Sequence, residues 1–153
     1  MKSILLIPCV GLKLPKRAAA RDLYQGALFE ACLAYSAAIQ PDATHILSAL
    51  HGLVDLDQEL DPYDVTLREL PEPERSRYPL VRVLTDEELE AWALTVTSAL
   101  KSLYDLNTTV FIALADSSYV TPLQAALPNL QEPLAGISLA DRPAALVELI
   151  AKL

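Results

Sequence analysis

The chain has 153 residues, 52% of them hydrophobic, a net charge of −8 and an isoelectric point near 4.6. That is enough apolar chain for one domain with its own core, and it excludes disorder. An acidic protein of this kind is repelled by phosphate backbones, which argues against broad non-specific nucleic-acid binding, and no apolar run approaches the length of a membrane span.

Lys2 to Pro8 reads as a buried first strand ended by its proline. Its apolar run, Ile4-Leu5-Leu6-Ile7, is too short for a signal-peptide core and has no small-residue cleavage site. Only two cysteines are present, Cys9 and Cys32, as expected of a reducing compartment. A cytoplasmic location with no membrane association is therefore expected. Cys9 to Arg21 reads as a loop. A helix is expected from about Asp22 to Gln40, with Tyr24, Leu28, Ala31, Tyr35 and Ala38 as its inner stripe. Asp22 serves as N-cap or first-turn acid, and Pro41 stops the helix. Thr44 to Ser48 is the second strand.

The stretch from about residue 50 to 84 is proline-rich and reads as a long irregular insertion, with Leu70 to Pro79 as an exposed excursion. Thr85-Asp86-Glu87-Glu88 is a capping signal for a helix reaching about Tyr104. Leu89, Trp92, Val96 and Leu100 mark its buried side, with Ala93 beside them. Thr108 to Ala115 reads as a central parallel strand. Asp116-Ser117-Ser118-Tyr119 then opens a short helix to about Leu127. Leu134 to Ile137 reads as a short fourth strand, and Asp141-Arg142-Pro143 opens the last helix. This order implies one three-layer α/β domain over 1–153: a mostly parallel sheet of about four strands with helices on both faces.

Two post-strand loops carry opposite charge. Between Met1 and Arg21 there are five basic side chains and no acid; between Asp55 and Asp64 there are five acids and no base. Ligands bind outside the carboxyl ends of strands in open α/β sheets, so both loops are expected at one site. Lys13 and Arg21, with Lys16 and Arg17, suit a phosphate or carboxylate. Cys9 allows two readings: a thiolate activated by these cations, or a small apolar side chain closing the core. His51 stands where a general acid or base would act, and Gly52 permits a turn or a close approach to a ligand. His45, at the other end of its strand, reads as structural. Asp64, fixed by Pro62 and Tyr63, is the candidate carboxylate. Tyr24 and Tyr63 suit stacking on a base, or core packing with satisfied hydroxyls. Ser48, Asp116 and Tyr119 are candidate ligand contacts. A Cys2His2 metal site has the wrong spacing, so no metal is expected, and no cofactor is implied.

These segments resemble a bacterial and phage family of unknown function. The resemblance rests on Pro8-Cys9, Lys13, Asp22-Leu23-Tyr24, Gly26, Leu28-Phe29, Leu47-Ser48-Ala49, His51-Gly52-Leu53, Pro62-Tyr63-Asp64 and Thr66-Leu67. The chain is more distantly similar to the peroxide-stress YaaA family, which places a Tyr where His51 stands. The Pro8-Cys9 and Lys13 loop is also similar to part of the archaeosine synthases. These resemblances imply a link to DNA damage, base modification or stress. The expectation is a small enzyme acting on a nucleotide or nucleic-acid base, with N-glycosidic cleavage or exchange as the candidate reaction. Catalysis would fall to His51, Asp64 and Cys9. The alternatives are a non-catalytic stress-response protein making local DNA or RNA contacts through the basic loop, and a domain that works with a partner protein. Nothing in the sequence assigns an oligomeric state.

Overall fold

A computed structural model describes residues 1–10, 12–63, 65–66 and 82–153. Strand β1 (Lys2–Pro8) lies at the middle of a five-stranded sheet and is buried on both faces from Ile4 to Pro8. On one side it pairs in parallel with β3 (Ala43–Ser48), on the other with β8 (Thr109–Ala113). The edges are β4 (Gly52–Asp55), antiparallel to β3, and β9 (Leu130–Gln131), parallel to β8. The sheet order is thus β4-β3-β1-β8-β9, a mixed, mostly parallel α/β sheet.

Side chains alternate across the sheet, and each set finds its own layer of helix. Ile4, Leu6, Leu47 and Phe111 face helix α3 (Asp86–Leu103) through Trp92, Val96 and Leu100. Helix α4 (Ser117–Val120) joins this face through Tyr119 and Val120. Leu5, Ile7, Ile46 and Val54 face α2 (Ala27–Ile39) through Phe29, Cys32 and Tyr35, and α5 (Arg142–Ala151) through Leu146. The Thr85 signal is a full capping box: the Thr85 hydroxyl accepts the Glu88 N–H at 3.2 Å, and the Glu88 carboxylate accepts the Thr85 N–H at 3.1 Å. No described helix is long and apolar enough to cross a membrane.

Four expectations are corrected. The helix expected from Asp22 is broken into α1 (Ala20–Leu23) and α2, because Tyr24 bridges back to Lys13 and Gly26 takes φ 103°. This rotates the buried stripe of α2 onto Phe29, Cys32 and Tyr35; Tyr24 is core from the loop, and Ala38 is exposed. Leu134 to Ile137 is turn rather than strand. The N–H of Ala135 bonds back to Glu132 and that of Ile137 to Leu134, with Gly136 at φ 80°, so the edge strand falls earlier, at Leu130. The insertion is partly regular, since β4 completes a hairpin and β5 (Glu59–Leu60) pairs with β2 (Ala18–Ala19). A two-residue ladder also joins β6 (Val65–Thr66) to β7 (Arg82–Val83). The Leu70 to Pro79 excursion lies outside the described residues.

Candidate functional site

The basic and acidic loops do meet, but chiefly to neutralise one another. Next to the β2–β5 ladder, Arg17 Nη1 reaches Asp61 at 3.2 Å and Arg17 Nε lies 3.7 Å from Glu59. Arg21, expected to grip a ligand anion, instead pairs with Asp57, with Nε and Nη2 both 2.8 Å from the same oxygen. Opposite charge in the two loops thus encodes their mutual docking, and the cluster of cations open to a phosphate does not form. Backbone bonds from Ala20 to Gln58 and from Arg21 to Leu56 lock the same contact.

Lys13 is held apart from this clasp. Leu14 N–H donates to Leu23 at 2.8 Å and Gln25 N–H to Leu12 at 2.9 Å, folding the loop over Tyr24. Lys13 Nζ donates to the Val10 carbonyl at 2.9 Å and stands 4.4 Å from the Tyr63 ring centroid and 5.6 Å from that of Tyr24. The negative faces of the rings attract the ammonium and fix it.

Beneath Lys13 runs a chain of hydroxyls. Tyr24 and Tyr63 share a short hydroxyl–hydroxyl bond, and Tyr63 bonds Ser48 Oγ at 2.6 Å. Ser48 closes β3 fully buried, and its Oγ also accepts the His51 N–H at 3.0 Å. Its carbonyl accepts Trp92 Nε1–H at 2.7 Å. Burial, ahead of every other influence, raises the Tyr24 phenol to about 12 and pushes Tyr63 higher still, so both stay protonated at neutral pH. The rings of Tyr24 and Tyr63 meet edge to face at 86° with centroids 6.3 Å apart, and Tyr24 is 2% exposed. The expected base sandwich between them is therefore closed; these are core rings whose hydroxyls satisfy one another.

His51 lies in the tight β3–β4 turn with its ring edge-on to Tyr63, centroids 5.2 Å apart. Partial burial lowers its pKa from 6.5, so the imidazole is neutral at pH 7 and can accept a proton. Gly52 takes φ 74° and is buried under Thr95 and Val96 of α3, so it serves the turn and the helix contact rather than a ligand. His45 is structural as expected: Nδ1 pairs with Asp55 at 2.8 Å and Nε2 with the Tyr104 hydroxyl at 2.6 Å. Asp64 lies outside the described residues.

Cys9 follows β1, and its thiol donates to the Tyr119 hydroxyl at 3.3 Å. Burial raises the thiol above its ordinary value, against weaker opposing effects of Tyr119, Ala49, Lys13 and Tyr63. At neutral pH it is a thiol, as its core-closing reading requires. Asp116 caps α4, accepting the Ser118 N–H at 3.0 Å.

The Cys9–Tyr119 contact has a topological meaning. After β1 the chain crosses one face of the sheet toward β3; after β8 it crosses the opposite face toward β9. The crevice between the carboxyl ends of β1 and β8 is the switch point at which open α/β sheets bind ligands. Cys9 and Tyr119 span it. Lys13, Ser48, His51 and Tyr63 lie on its β1–β3 side, and Asp116 on its β8 side. Two further residues belong here. Trp92 carries an apolar signal only, and Arg142 is legible only as the start of a helix.

No curated protein and no solved structure matches the chain. Residues 4–148 match the model of a family of unknown function, DUF6884, and the chain belongs to that family.

Proposed function

We propose that this protein is an enzyme acting on a nucleotide or nucleic-acid base at the crevice beside β1. The observation that carries the reading is the Lys13 ammonium seated over a protonated Tyr24–Tyr63–Ser48 hydroxyl chain, with neutral His51 edge-on to the same ring. Lys13 would hold an anionic or carbonyl oxygen of the ligand. His51 would take or return a proton, with the Tyr63 hydroxyl network fixing its neighbourhood. For N-glycosidic cleavage or exchange, neutral His51 would first take the proton of the attacking water or incoming base and then return it to the departing base, and Asp64 is the carboxylate proposed to stabilise the sugar cation.

A free nucleotide or base fits better than a duplex, because Arg17 and Arg21 are committed to Asp57, Glu59 and Asp61. A non-catalytic nucleic-acid binder would need those cations turned outward. A role in DNA damage or stress belongs to the same proposal and rests on the distant resemblance to the YaaA family alone.

The test is a thermal-shift screen against nucleotides, nucleobases and short single- and double-stranded DNA. A ligand at a hundredfold excess over its Kd stabilises by about 2.7 kcal/mol, which raises Tm by about 5–10 °C at this chain length. The expected hit is a free nucleotide or base whose shift is lost in Lys13→Met. Response to duplex DNA alone would overturn the reading.

A further inference from the structure

Arg142 opens α5 yet is only 6% exposed. Its Nε donates to the Ile137 carbonyl at 3.0 Å and its Nη1 to the Leu114 carbonyl at 3.0 Å. None of the ion pairs among the described residues includes it. A buried cation is expensive unless its charge is met, and neutral carbonyls meet it only in part. The two carbonyls also leave the Nη1–Nη2 edge with N–H donors to spare, and that edge matches a carboxylate or phosphate in a forked geometry.

Arg142 lines a cavity of about 410 Å³ beyond the carboxyl end of β8, a size suited to a small ligand. Asp116, Ser118 and Glu132 line the same cavity, while Lys13, His51 and Tyr63 do not. Asp116 spends Oδ1 on the Ser118 N–H, and Glu132 spends Oε2 on Gln124 at 3.2 Å, so each carboxylate keeps an oxygen to accept from a ligand. One buried cation thus shares a cavity with two carboxylates that do not pair with it. A plain anion would satisfy the first and be repelled by the others. A ligand with an oxyanion head and its own N–H or O–H donors satisfies all three.

We propose that this cavity binds a small polar metabolite, with a carboxylate or phosphate head on Arg142 and hydroxyl or amino groups donating to Asp116 and Glu132. The site stands on the β8 side of the switch-point crevice and does not depend on the chemistry assigned to the Lys13 side.

Isothermal titration of the full chain with two probe series tests this: inorganic phosphate against phosphoserine, and acetate against serine. One series binds, its donor-bearing member about tenfold or more tighter than the bare oxyanion, and the series that binds names the head group. Arg142→Lys keeps the charge but loses the fork, and binding falls in step. Because Arg142 also ties down two carbonyls, that variant is paired with Ala135→Glu, which adds a negative charge at an exposed position lining the cavity. Ala135→Glu leaves Tm unchanged and weakens binding of the bare oxyanion, which has no amino group to offer the new carboxylate, about tenfold or more. Failure of both series to bind, indifference to Ala135→Glu, or no gain from the added donors would overturn the proposal.

Discussion

Replacing Tyr63 by Phe deletes one oxygen from the middle of the hydroxyl chain and leaves the ring that Lys13 and His51 contact. Two bonds disappear, one to Tyr24 and one to Ser48. Ser48 Oγ keeps the His51 N–H, whereas Tyr24, 2% exposed, loses the hydroxyl it is bonded to. A net buried hydrogen bond contributes about 1 kcal/mol, and an abandoned buried partner costs about 1–3 kcal/mol, so Tyr63→Phe is expected to cost about 2 kcal/mol. Tyr24→Phe, which strands less, should cost about 1 kcal/mol. The double variant should also cost about 2 kcal/mol, because Tyr63→Phe has already removed the partner of Tyr24; the cycle then shows a coupling of about 1 kcal/mol. Urea unfolding with a shared slope measures all three. In thermal melts Tyr63→Phe should lower Tm by about 4–8 °C. Strict additivity, or an unchanged midpoint for Tyr63→Phe, would show that the hydroxyls do not act as one chain.

Alkaline pH should unfold the protein through its buried acids. Cys32 is raised from 9.0 to about 12 and Tyr24 from 10.0 to about 12, both by burial, so the unfolded chain loses these protons first. Stability is intact below pH 9 and falls as pH climbs toward 12, by up to about 2.7 kcal/mol per pH unit from these two groups once both titrate in the unfolded chain. Urea midpoints at stepped pH read the slope, and Cys32→Ala should make it shallower; a flat profile to pH 12 would contradict the burial. The two histidines should separate cleanly. His45→Ala strips partners from Tyr104 and Asp55 and should cost about 2–4 kcal/mol, while His51→Ala loses mainly one ring contact, about 0.5–1 kcal/mol. Proton NMR should find the His51 imidazole titrating below 6.5, and a value above it would mean the ring is not desolvated. Breaking the exposed Arg21–Asp57 pair, by either residue to Ala, should change stability by under about 1 kcal/mol in urea titrations.

The parts of this fold legible in the sequence are those set by local pattern. Ile4 to Ile7 had to be a buried strand, and Thr85 with Glu88 had to open a helix, because each depends on neighbours a few residues away. The placing of Cys9, Lys13, Ser48, His51 and Tyr63 in one neighbourhood was legible too, since loops that follow parallel strands share an edge. What local pattern cannot carry is the identity of the partner. Arg21 reads as a ligand for an anion and Asp57 as one more charge of the acidic loop, yet opposite charges brought to one edge satisfy each other before any ligand. Tyr24 fitted the helical stripe by spacing, but Gly26 reset the register with a single positive φ. Arg142 looked like a first-turn residue beside Pro143. Its burial arises from the turn at Ile137 and the end of β8, both distant in sequence.

Ser48 also ties the crevice to a chromophore. Trp92 is the sole tryptophan, its indole N–H bonded to the Ser48 carbonyl and its ring 5.9 Å from that of Tyr119. The chain therefore carries a built-in optical reporter wired to both sides of the crevice. Its emission depends on the indole hydrogen bond and on the neighbouring phenol. A ligand that moves Ser48 or Tyr119 should change the intensity or colour of that light, with no label attached and no knowledge of the reaction required.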